Sequence, residues 1–108
     1  MICVNAFYPA AGEGRFDLSY YYGQHIPLCL RLLTPFGLRK IEVDEGLSGV
    51  AAGAPPNYRA IARLYFDSLE NFQQALAAAG QEILSDVPNY TDIPIEFQVS
   101  KYSVFLGP

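Results

Sequence analysis

The 108 residues, 51% apolar and 17% charged, fit one globular domain spanning 1–108 and exclude a disordered or two-domain chain. Seven Lys and Arg against eleven Asp and Glu leave a net charge of −4, and no basic cluster exceeds Arg39–Lys40, which argues against a nucleic-acid partner. No run approaches the roughly 20 apolar residues that cross a bilayer, and Met1 leads into Ile2, Cys3 and Val4 without a charged region or cleavage pattern, so a cytoplasmic protein with no membrane partner is expected.

Ile2 to Tyr8 is a nearly unbroken apolar run, predicted as a buried central strand, and Pro9, Ala10, Ala11, Gly12, Glu13 and Gly14 end it in a turn. Asp17 caps a helix whose Leu18, Tyr21, Tyr22, His25, Leu28, Cys29 and Leu32 recur at three and four. Pro35 stops it. Phe36 to Asp44 alternates as an edge strand, with Leu38, Lys40, Glu42 and Asp44 on one side and Arg39, Ile41 and Val43 on the other. A Gly- and Pro-rich loop, Glu45 to Asn57, leads to a second central strand, Tyr58 to Phe66, with Arg59 and Arg63 on one face and Ala60, Ala62 and Leu64 on the other.

Asp67 or Ser68 then caps a second helix with a stripe of Leu69, Phe72, Leu76, Ala79 and Ile83, and a turn at Asp86 to Asn89 precedes a fourth strand in which Ile95, Phe97 and Val99 alternate with polar residues. The order is that of a ferredoxin-like βαββαβ α+β fold: an antiparallel four-stranded sheet with two helices on one face, the first and third strands meeting at the centre, expected in parallel. The other face would carry Cys3, Asn5, Phe7, Ile61 and Tyr65 between the arginines, too apolar to stay wet. A homodimer with sheets face to face is therefore expected, the arginines meeting Glu96 or Glu42 and the tail Tyr102 to Pro108 reaching across. Cys3 and Cys29 have no metal-ligand spacing and read as reduced buried thiols.

His25, the one histidine, has two readings: a packed ring with satisfied nitrogens, or a proton-transfer group titrating near neutrality. At about 100° per residue it lies within about 60° of Leu18, Tyr21, Tyr22, Cys29 and Leu32, with Tyr20 pointing away. Pro27 removes the amide that would bond the Gly23 carbonyl and predicts a bend, which is either a local kink or the opening of a pocket. Tyr21 and Tyr22 are core residues or donors to a carbonyl or enolate. Asp86 caps a helix end or, with Tyr90 and Asp92, orients the imidazole or closes a pocket mouth. Arg59 and Arg63 form interface ion pairs or bind a carboxylate. Cys29, one turn from His25, is an inert thiol or a nucleophile.

The strings FDLSYYYGQHIPL, FDSLENFQQAL and SDVPNYTD resemble the EthD family, named for ethyl tert-butyl ether degradation, over most of the chain. The resemblance implies a dimeric α+β barrel of ferredoxin-like protomers. Members accompany catabolic operons, one of them with a cytochrome P450 system, and others look like decarboxylases, dehydratases or lactone isomerases. The motif falls on Phe16, Asp17, Tyr21, Tyr22, His25, Pro27 and Leu28, and the later turn on Asp86, Asn89 and Tyr90. The chain has no Trp and no second histidine, unlike the set expected of related antibiotic-biosynthesis monooxygenases, which weighs against direct oxygenation. Haem-binding relatives use an axial histidine, a role His25 alone would have to fill.

The leading expectation is a cofactor-free protein acting on a small, mostly apolar oxygenated compound. His25 serves as general acid or base, Tyr21 or Tyr22 stabilises an oxyanion, and Leu18, Cys29, Asp86 and Tyr90 line the substrate site. The alternatives are a non-catalytic module that binds a hydrophobic metabolite or delivers it to a partner oxygenase, and a purely structural dimer.

Overall fold

Four strands, β1 (Ile2–Pro9), β2 (Leu38–Glu45), β3 (Tyr58–Phe66) and β4 (Glu96–Lys101), form one sheet in the order β2-β3-β1-β4. The computed structural model describes residues 1–12 and 14–108; Glu13, expected in the turn after β1, lies outside the described residues. Every neighbouring pair in the sheet is antiparallel. This corrects the parallel pairing expected of the two central strands. The helical crossover brings β2 back in the direction of β1, and the β2–β3 hairpin then reverses the chain, so β3 meets β1 head to tail.

The first helical run comprises α1 (Leu18–Tyr20), a π-helical turn (Tyr21–His25) and α2 (Ile26–Leu33), closed by a 3₁₀ turn at Thr34–Phe36 that contains Pro35. Asp17 caps α1 by accepting from the Tyr20 amide at 3.0 Å. Ser68 caps α3 (Leu69–Asp86) by accepting from the Asn71 amide. The helix continues through Asp86, and a 3₁₀ turn, Val87–Asn89, follows it. The stripe read for α3 holds at Phe72, Ala79 and Ile83, which pack into the core, and fails at its other two positions. Leu69 and Leu76 are exposed, while Ala75, Ala79 and Gly80 are buried.

Both helical layers pack on one face of the sheet around two clusters. One is aliphatic, with Val4, Cys29, Leu33, Leu38, Phe66, Ala75 and Ala79; the other is largely aromatic, with Tyr8, Tyr21 and Tyr90 around Ala6, Ala60, Ala62 and Ile93. Cys3 and Cys29 are free, buried thiols. A bulge between Leu38 and Lys40 breaks the strict alternation expected of β2. It lets Leu38 join Ile41 at the aliphatic core instead of standing beside Lys40.

The opposite face carries a polar lattice. Arg63 forks onto Asp44 at 2.8 and 2.9 Å and lies 3.6 Å from Glu42, Tyr65 donates to Glu42, and Asn5 donates to Ser100. That face is less apolar than expected, and Arg63 is paired within its own chain. Arg59 does not stand beside it. An irregularity in the pairing opposite Pro9 lets Arg59 donate to the Gly14 carbonyl and lie over the Phe16 ring.

Candidate active site

The aromatic cluster forms where the two ends of the fold are tied together. Phe16 bridges Thr91, the Asp17 amide donates to the Tyr90 carbonyl at 2.7 Å, and Thr91 Oγ1 donates to the Arg15 carbonyl at 2.6 Å. Arg15 adds its amide to Asp92 and its guanidinium to the Pro88 carbonyl, both at 2.7 Å. The start of α1 and the turn after α3 are therefore fixed to each other, and their side chains meet.

Pro27 has no amide hydrogen, so the Gly23 carbonyl cannot receive its usual bond. The chain answers with a widened turn, in which the Ile26 N–H donates to the Tyr21 carbonyl five residues back. This changes the azimuth of what precedes it. Tyr20, expected to point away, is half-buried and donates to Asp86 Oδ1 at 2.6 Å. Leu18 and Tyr22 turn outward, 37% and 42% exposed, and Tyr22 donates to Glu45 Oε2. Neither borders the cavity beside His25. Tyr21 and His25 are buried, their rings stacked at 16° with centroids 5.7 Å apart.

His25 Nδ1 lies 2.9 Å from Asp86 Oδ2. An ionised carboxylate only accepts, so Nδ1 carries the hydrogen and Nε2 the lone pair. Asp86 Oδ1 also accepts from Tyr20 and, at 3.0 Å, from Asn89. Burial would raise the Asp86 carboxyl, yet the hydrogen bonds from Tyr20, His25 and Asn89 together hold it below the usual carboxylate range. Burial also depresses the imidazole below its ordinary value, against the opposing pull of Asp86. The pair is therefore a neutral imidazole on an ionised carboxylate.

Nε2 meets Tyr90 Oη at 3.4 Å and Cys29 Sγ at 3.6 Å. The phenol contact is at the long end of hydrogen bonding and a thiol is a weak donor, so the lone pair is loosely held. Tyr90 Oη is 2.7 Å from Tyr8 Oη, and burial keeps both phenols protonated. Burial pushes the Cys29 thiol up to about 12, helped by the Asp86 charge, which removes the thiolate a nucleophile would need. The ring borders a cavity of about 70 Å³ also lined by Tyr8, Tyr21, Cys29 and Tyr90. Among the described residues no cluster of three or more His, Cys, Asp and Glu side chains is placed to hold a metal ion.

Of the residues singled out in the sequence, Tyr21, His25, Cys29 and Tyr90 come together at the cavity and Asp86 stands behind the imidazole. Tyr8 and Tyr20 escaped that reading. Tyr8 shares the alternation of Val4 and Ala6, a signal that it faces the helices; Tyr20 was hidden by the π turn.

Residues 15–94 match the family model of the EthD domain. The chain belongs to the EthD family. An EthD-like protein from Ralstonia eutropha JMP134 is 41% identical, with a TM-score of 0.89 over 95% of this chain and 92% of that one. An ethyl tert-butyl ether degradation (EthD) family protein from Bacillus halodurans C-125 is 20% identical, with a TM-score of 0.66 over 95% and 99%. SnoaB, a cofactor-independent oxygenase from Streptomyces nogalater, is 12% identical, with a TM-score of 0.51 over 99% and 96%, and shares the fold. No curated protein matches this EthD chain. The matched stretch contains every side chain around His25 described above except Tyr8, which β1 supplies ahead of it.

Proposed function

We propose that this EthD protein acts on a small, mostly apolar oxygenated compound by acid/base chemistry at His25, with no cofactor. The observation that carries the reading is the Asp86–His25 pair, which leaves a loosely held Nε2 lone pair beside a cavity. Nε2 takes a proton from carbon next to a carbonyl, Asp86 stabilises the imidazolium that results, and Tyr90, backed by Tyr8, donates to the developing enolate oxygen. Tyr21 holds the ring by stacking and Cys29 packs beside Nε2. Tyr90 takes the oxyanion role first assigned to Tyr21 or Tyr22.

Deuterium wash-in next to the carbonyl of a panel of apolar ketones and lactones, followed by proton NMR in D₂O, tests this. Wild type should exceed buffer, and His25→Gln should lose about 10² to 10⁴ in rate, the usual share of a general base. Equal rates for the two proteins would end the base assignment. The near-complete burial of the imidazole favours a second reading, a module that binds the compound unaltered, alone or for a partner oxygenase. Binding of panel members with no wash-in by wild type would decide for it.

The homodimer expected from the sequence belongs to the same proposal. Its support is the tail, where Val104, Phe105 and Leu106 are 70%, 93% and 89% exposed, a surface that gains by covering.

A further inference from the structure

β4 presents Phe97 and Val99 to the helical side of the sheet, yet both stay exposed. Between β4 and α3 runs a groove of about 370 Å³, walled by Phe72, Leu76, Gly80 and Leu84. Gln98 is the one polar residue among its lining, and its amide is engaged with Ser100 Oγ. The groove therefore presents no free polar side chain, and a charged, sugar-like or peptide body would lose its hydrogen bonds there. Gly80 keeps the wall recessed. A Cβ at this buried position would stand 2.8 Å from Leu76 Cδ1 and push that side chain aside, and glycine in mid-helix costs about 0.5–1 kcal/mol relative to alanine.

Ala6, Leu64, Ile83, Leu84 and Phe97 line both this groove and the cavity at His25. At roughly 30 Å³ per water-sized group, the cavity takes about two such groups and the groove about a dozen. Small-molecule sites run from about 300 to 1,000 Å³, so the cavity alone is too small for a ligand and the groove is not. We infer that the groove holds the apolar body of a ligand, roughly a dozen carbon-sized groups in volume, whose single small polar head reaches His25. The inference rests on the reading of His25 as the reactive group and gives its substrate a shape: one oxygen function on a hydrocarbon body.

The test is a series of 2-alkanones from butanone to 2-decanone, titrated calorimetrically against the full chain while the nitrogen-15 signals of its one imidazole are followed. Affinity should rise about three- to fourfold per added methylene, the equivalent of about 0.8 kcal/mol each, and every member should move the His25 signals. Gly80→Leu should flatten the rise beyond the short members while butanone still moves the signals. Leu76→Trp, on the exposed wall, should do the same without disturbing the buried helix face.

An imidazole response to butanone with no dependence on chain length would overturn the groove and leave the His25 reading standing. A chain-length dependence with the imidazole silent would separate the groove from His25 and overturn the head-and-body arrangement, while the wash-in comparison alone decides the His25 reading. Binding that appears only after residues 103–108 are removed would assign the groove to the tail of a second copy and overturn the inference, as would no binding of any homologue.

Discussion

His25 is held neutral by burial and kept in one tautomer by Asp86, and this makes folding pH-dependent with a definite sign. Its folded pKa lies below the unfolded value of about 6.5, so the unfolded chain binds the extra proton first. Stability is constant above that window, falls as pH drops from about 6.5 toward the folded pKa, and then levels. The Asp86 carboxyl, lowered in the folded state, adds stability above its unfolded pKa that is lost as pH falls through its folded value, a lower window. Urea unfolding at pH 7.5, 6 and 5 should give a slope of at most about 1.4 kcal/mol per pH unit, absent in His25→Gln. A slope unchanged in that variant would show that another group titrates there. The sequence singled out His25, Tyr21, Asp86 and Tyr90 because spacing and residue type were sufficient for them. It misassigned Leu18, Tyr20 and Tyr22 because about 100° per residue fails across a π turn, and no composition signal announces where the extra residue of such a turn falls.

At the scale of elements, strand limits were legible to within about two residues, because Pro55 and Pro56 stop the loop ahead of β3, and the capping residues Asp17 and Ser68 mark where each helix opens. What alternation does not encode is a bulge, and both irregular pairings, at Leu38/Lys40 and Tyr8/Pro9, moved side chains assigned by strict period two. The first helical run offers a paired test. Asp17→Ala removes the acceptor for the Tyr20 amide and should cost about 0.5–2 kcal/mol. Gly23→Ala should add about 0.5–1 kcal/mol, since Gly23 has an ordinary negative φ and nothing within 4 Å of where a Cβ would stand. Thermal unfolding of the two variants checks both signs; a destabilised Gly23→Ala would mean that the π turn needs glycine.

For the whole molecule, the exposed tail and the outer sheet face make one prediction. Sedimentation equilibrium should give twice the 11.9 kDa chain mass, and removal of residues 103–108 should shift the equilibrium toward the single chain. A monomer at all concentrations would refute the face-to-face pairing. Tyr8 and His25 come from the stretch before the β2–β3 loop, and Asp86 and Tyr90 from the stretch after it, while β1 lies between β3 and β4. A nick in the loop of 46–57 would therefore put the imidazole and its carboxylate on separate fragments. Two fragments mixed together would recover the depressed titration only where β1 slides back between its neighbours, so one proton would report on the reassembly of the entire sheet.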